Sequence, residues 1–304
     1  MKVAIMTDRL TFTVFLSRDA HDRAARSISN RVSGLRAKQL YCNELARYAV
    51  ARYLNCMGFQ LDEHTGESTD PVWRTFANVA DLQVERLGRL ECRPVLPDDL
   101  VLHVPLEAQH DRAGYLAVQL HASLREATIF GFAKTVREED IPLDRLDSLE
   151  GFLQYATTRQ EAIGLRQWFQ GIFEAGWESM ESLVYSPEIA WRRRGSEPPS
   201  SLPSTVERVK HLDLYSHPIA LTVRLEPLDR SEAQIAVAVY PTQGQIYLPR
   251  DLHLKILDEG GNAVMQTIAC STQSIQLSFS AESGEIFTVV LELNDVCLTE
   301  TFLV

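Results

Sequence analysis

No apolar run in this 304-residue chain approaches the roughly 18–20 residues that a membrane-spanning helix needs. The amino terminus offers Lys2, but Asp8 and Arg9 interrupt the apolar stretch behind it, so no signal peptide is expected. Cysteine is sparse. Cys42, Cys56, Cys92, Cys270 and Cys297 are an odd, scattered set with no Cys-x-x-Cys pair, which fits reduced thiols in the cytoplasm. Positive charge is also short, and the formal net charge is −11. The last hundred residues hold 6 Lys+Arg against 13 Asp+Glu, a balance of −7, and the remainder carries −4. Neither part is basic, so generic nucleic-acid binding is not expected. Arg192-Arg193-Arg194 is the one basic run, and its Pro/Ser-rich border reads as a solvated linker. Neither a Gly-x-x-x-x-Gly-Lys loop nor a Gly-x-Gly-x-x-Gly fingerprint occurs, and there is no Gly-x-Ser-x-Gly elbow. No cofactor is expected.

What is present reads as an α+β chain in two domains, with N-terminal helices packed on a mostly antiparallel sheet. Residues 10–16 favour an extended segment. Ser17 can cap a helix over 18–29, with Asp19 well placed in its first turn. A long amphipathic helix runs from about Leu35 to Met57 and stops at Gly58. Asp70-Pro71 starts a short helix. A block of strands then fills 81–136: Leu82–Glu85, Leu90–Arg93 halted by Pro94, Val101–Val104, Gly114–Leu120 and Ala127–Val136. A helical connector follows over 142–184. Its second helix, about Gln160 to Val184, carries Leu165, Trp168, Phe169, Ile172, Phe173 and Trp177, with Gly171 and Gly176 as weak points. The first domain is placed at 1–185 and a Pro/Ser-rich linker at 186–205. Residues 206–304 read as about eight short strands, an immunoglobulin-like sandwich without the Cys-Trp-Cys pattern of antibody domains.

Two constellations could carry chemistry. Asp81 with Glu91 and Arg93 follows the helix, Asp-strand, Glu-x-basic-strand order of the PD-(D/E)xK nucleases, where two carboxylates hold Mg²⁺. Glu91 and Arg93 point to one side of a strand. Arg93, however, cannot serve as a proton-transfer base. The plainer reading is a junction Asp beside a solvated Glu/Arg pair. The second constellation is His103, Glu107, His110, Asp111 and His121, whose donor types suit zinc or manganese but whose spacing matches no tight ligand motif. Surface histidines are the plainer reading. Cys92, on an apolar strand, reads as a core residue.

The runs Asn78–Leu82, Gly88–Pro97, Asp111–Leu120, Arg125–Thr128 and Gly131-Phe132, with Gly176-Trp177 and Gly244–Pro249, resemble a cyanobacterial family catalogued as domain of unknown function 1822. The resemblance covers most of the chain. It implies a regulatory role beside sigma factors or CHAT-type protease components. The expectation is therefore a cytoplasmic, non-enzymatic interaction protein whose acidic sandwich suits a basic partner surface. The alternatives are a metal-dependent or degenerate nuclease at Asp81 and Glu91, and a small-ligand sensor at the aromatic helical seam.

Overall fold

Local signals and packing agree through the first helices. The computed structural model describes residues 9–28, 33–62, 65–69, 76–181, 205–214, 217–229 and 232–304. Ser17 Oγ accepts the Ala20 N–H at 3.3 Å and opens α1 (Arg18–Arg26). Helix α2 (Gly34–Cys56) caps at Met57, and Gly58 follows at φ +87°, a left-handed turn that glycine adopts without strain. Its buried stripe includes Leu45, Ala49 and Tyr53. The helix expected from Asp70-Pro71 lies outside the described residues, as does the linker at 186–205 apart from residue 205.

The chain forms two compact units, Met1–Gln160 and Glu161–Val304. The first holds β1 (Phe12–Phe15), β2 (Leu61–Asp62), β3 (Asp81–Val84), β4 (Gly88–Val95), β5 (Val101–His103), β6 (Gly114–Leu120), β7 (Glu126–Ala133), β8 (Asp140–Pro142) and most of α3 (Leu149–Glu161). Six strands make one sheet in the order β1-β7-β6-β4-β3-β2, antiparallel except for the β4–β6 pair. Strands β5 and β8 pair separately. Pro94 lies inside β4 instead of ending it. The Cys92 N–H reaches back to Ala80 O, and Pro94 turns its nitrogen the same way two residues later, past the end of β3. No ladder bond is lost there.

The pleat sorts this sheet into two faces. Leu82, Leu90, Cys92, Leu116 and Val118 join α2 in one core. Tyr115 and Ala117 join Val79, Leu102 and Val104 in a second. Asp81, Glu91 and Tyr115 share one register line across β3, β4 and β6, so charged residues sit on the second face. In the first core, Tyr53 packs 5.0 Å from the ring of Phe12, and its hydroxyl finds no hydrogen-bond partner among the described residues. Burial pushes that hydroxyl up to about 12. An unsatisfied buried hydroxyl costs about 1–3 kcal/mol. Tyr53→Phe is therefore expected to leave stability unchanged or raise it by up to about 1 kcal/mol, read from urea unfolding.

The second unit departs from the expected helical connector. Between the end of α3 and the strands that begin at Val206, the described helical residues are α4 (Leu165–Trp168) and Glu181 alone. Ile163–Gly164 forms β9 and Glu178–Ser179 forms β10. Gly171 and Gly176 take φ of +79° and +88°, which ends helical propagation. The rings of Trp168 and Trp177 lie 5.1 Å apart, and both pack against Phe302. The aromatic spacing that reads as a helix stripe is thus supplied by turns that bury both rings in the second unit's core.

The remaining strands are β11 (Val206–Leu214), β12 (His217–Pro227), β13 (Glu232–Pro241), β14 (His253–Leu257), β15 (Ala263–Ile268), β16 (Ile275–Glu282), β17 (Ile286–Leu293) and β18 (Val296–Leu303). They form two five-stranded sheets, β10-β11-β12-β13-β16 and β15-β14-β17-β18-β9. Val223, Ile235 and Val237 from one sheet and Ile256, Val289 and Leu291 from the other share a single core. The protein is a mixed α+β chain with few helices and many strands. Among the described residues, no helix is long and apolar enough to cross a membrane.

Candidate functional site

The second face of the first sheet buries ionised side chains in a group. Period-two alternation puts Arg89, Glu91 and Arg93 of β4 on that face, and Asp81 of β3 stands directly opposite Glu91. Asp81 and Glu91 are fully buried, and Arg93 is 3% exposed. Charged groups at that depth persist only when paired and hydrogen-bonded.

Each is. Asp81 Oδ1 accepts the Ser68 N–H at 2.6 Å and Oδ2 the Glu67 N–H at 2.8 Å, while Arg89 Nε stands 3.5 Å from Oδ2. Gly66 makes this cradle fit: at φ +129°, a Cβ there would come within 2.8 Å of Asp81 Oδ2. Glu91 Oε1 accepts the Ala80 N–H at 2.7 Å and Arg93 Nη1 at 3.2 Å. Its Oε2 accepts Arg112 Nε at 3.0 Å. Arg93 also donates to the carbonyls of His103 and Asn78, both at 2.9 Å. Arg112 donates to Glu67 at 2.8 Å and to the carbonyls of His110 and Asp111. Glu67 completes the loop through Arg89 at 3.2 Å. From α2, Arg47 Nε donates to Asp81 O at 2.9 Å, and Asn43 donates to Asn78.

The titration behaviour follows from these partners. Burial pushes the Asp81 carboxyl up, but hydrogen bonds from Ser68 and Glu67, with the charge of Arg112, outweigh it and hold it below the usual carboxylate value. Burial is the largest influence on Glu91 and raises it, against the pull of Arg93 and Arg112. Because the folded Asp81 is depressed, its contribution to stability is complete above the unfolded pKa of about 3.9 and fades as pH falls through the lower folded value. Asp81→Asn should therefore lose less of its own stability between about pH 5 and pH 3 than the parent does, in urea unfolding at the two pH values.

The structure brings Asp81, Glu91 and Arg93 together. It gives the histidines separate partners. His103 Nδ1 lies 2.8 Å from Asp140 at an exposed site, and His121 faces Glu126 and Thr128. His110 contributes its carbonyl to Arg112, and Glu107 accepts the Asn78 N–H. No group of three His, Cys, Asp or Glu side chains is arranged to hold a metal ion among the described residues. Cys92 is buried, and burial followed by the Glu91 charge pushes its thiol well up. Cys42 is buried too, whereas Cys56, Cys270 and Cys297 are exposed. A thiol-reactive dye should modify these three quickly and reach the other two only on unfolding.

The family model described as "Protein of unknown function (DUF1822)" matches residues 14–303. The chain belongs to this family. The match begins in β1 and ends with the last residue of β18, so both units lie within what defines the DUF1822 family. No curated protein and no solved structure matches the chain.

The residues that sequence reasoning missed are Arg112, Arg89, Glu67 and Gly66. Arg89 had a signal in the alternation Arg89, Glu91, Arg93. The other three come from connecting segments whose return to β3 and β4 no periodicity announces.

Proposed function

We propose that this chain is a non-enzymatic adapter or regulatory protein, in which the charged group at Asp81 and Glu91 braces the first unit and the second unit binds a protein partner. The observation that carries this reading is the use of both carboxylates. Each Asp81 and Glu91 oxygen already accepts a backbone N–H or an Arg N–H, which leaves the pair as internal glue. The second unit suits partner binding as an immunoglobulin-like sandwich. Its orders β12-β13-β16 and β15-β14-β17-β18 correspond to strands A-B-E and C′-C-F-G of that architecture. The last hundred residues carry −7, which favours a basic partner surface. By family resemblance the partner is a sigma factor or a CHAT-type protease component, met in the cytoplasm. Tagged full-length protein purified from its native cell should carry one such protein in stoichiometric amount. Purification of the chain alone would refute the adapter reading.

A metal-dependent or degenerate nuclease is the second reading, favoured by the direct opposition of Asp81 and Glu91 across β3 and β4. It requires Mg²⁺ to displace Arg and N–H donors from both carboxylates. Heat released on titrating Mg²⁺ into the parent, and lost in Asp81→Asn, would favour it; a flat titration would count it out.

A further inference from the structure

The second unit has an edge strand guarded by a bulge at one end only. Strand β15 ends its sheet and, among the described residues, pairs only with β14. Edge strands are ordinarily blunted by charge, by Lys in particular, by Pro, or by a bulge that twists the edge away. The sequence Ala263-Val264-Met265-Gln266-Thr267-Ile268 has neither charge nor Pro, and its bulge touches only the first two residues. A bulge pushes Val264 out of the ladder, leaving it 58% exposed, while Met265 to Ile268 stay in regular register with β14. Ile268 is exposed as well.

Beside this edge lies a groove of about 480 Å³, bounded on its other side by β16, the free edge of the facing sheet. Val264, Met265 and Phe279 give it an apolar floor, and Asp258, Glu259 and Glu285 give it an acidic rim. No Lys or Arg is among its lining residues. The Asp258 carboxylate accepts the Asn262 N–H at 2.8 Å, which fixes the β14–β15 turn that carries part of the rim. Unpaired backbone, an apolar floor and one sign of charge converge on one kind of occupant. Backbone groups ask for a strand, alternate side chains ask for an apolar face, and the rim asks for cations.

We propose that the groove between β15 and β16 binds an extended peptide of alternating apolar and basic residues, which adds as a strand to the free edge of β15. The proposal rests on the adapter reading and locates its surface. The peptide's apolar side chains enter the groove, and its Lys or Arg side chains meet Asp258, Glu259 and Glu285.

The test is fluorescence anisotropy on the full-length protein with a labelled decapeptide of alternating Val and Lys. A peptide of identical composition with its Val and Lys in two blocks serves as control. The alternating peptide should bind, and the block peptide should bind at least tenfold more weakly. Val264→Lys, which puts a charge on the edge, and Glu259→Lys should each weaken binding at least tenfold, with the thermal midpoint unmoved. Because Val264 and Glu259 are exposed, these changes spare the core. Equal binding by parent and variants would overturn the groove and assign attraction to the acidic surface at large. Absence of binding would overturn it too. A concentration-dependent dimer of the parent, lost in Val264→Lys, would make a second copy the occupant and overturn the peptide. The adapter reading fails separately: a partner still retained from native cells by Val264→Lys leaves that reading standing and removes only this groove.

Discussion

Glu91→Ala is expected to cost about 3–5 kcal/mol, because it strands Arg93 and Arg112 in the interior without the carboxylate both contact. The loss exceeds that of an ordinary surface change, which stays within about 0.5 kcal/mol. It also exceeds the net worth of one neutral hydrogen bond, about 1 kcal/mol. Desolvation therefore sets the size of the effect: Arg93 loses the carboxylate it contacts, and Arg112 is left with Glu67 as its ion-pair partner. Urea unfolding followed by circular dichroism measures it. The outcome also separates the two functional readings. A brace loses stability when Glu91 is removed. A catalytic carboxylate held against like charge would gain stability or hold level, and only its activity would fall. A Glu91→Ala chain as stable as the parent would therefore sink the structural account of the network.

Trp168→Ala should cost a similar amount, about 3–5 kcal/mol, for a different reason. The side chain is 1% exposed and packs on Trp177 and Phe302, and its Nε1 donates to Glu174 at 3.1 Å. Truncation opens a cavity and leaves a half-buried carboxylate oxygen without its donor. Hydrogen exchange locates the damage. Protection should fall in β12, β13 and β17, which share the Trp168 core, and hold in β6 and β7. If protection instead fell in β6 and β7, residues 161–181 would belong with the first unit after all.

Part of this fold is legible in the sequence. Helix α2 was legible because its apolar stripe and Gly58 agree. The eight strands from Val206 to Leu303 were legible because alternation and turn residues recur at short intervals. The stretch from Gln160 to Val184 was not, because a run of Leu, Trp and Phe at three- and four-residue spacing looks alike whether a helix face or a turn delivers it to a core. Glycine at positive φ settled the matter, and φ is not written in the sequence. The charged group was half legible. Asp81, Glu91 and Arg93 stand out on adjacent strands, yet their burial depends on Arg112 and Glu67 arriving from loops, and two-residue periodicity says nothing about what covers a sheet face. A pattern that reads as a solvated Glu/Arg pair is thus a closed network.

The pairing of β9 with β18 has a consequence for how the second unit can be moved about. Ile163 lies beside Phe302 and Gly164 beside Leu303, so the first and last strands of this unit are neighbours, about 5 Å apart. A module whose two ends meet can be spliced into a surface loop of a host protein without prying that loop open. It can also be cut at an exposed bend such as Gln243-Gly244 and resealed across its old ends, keeping every strand in place. The second unit is, in that sense, portable.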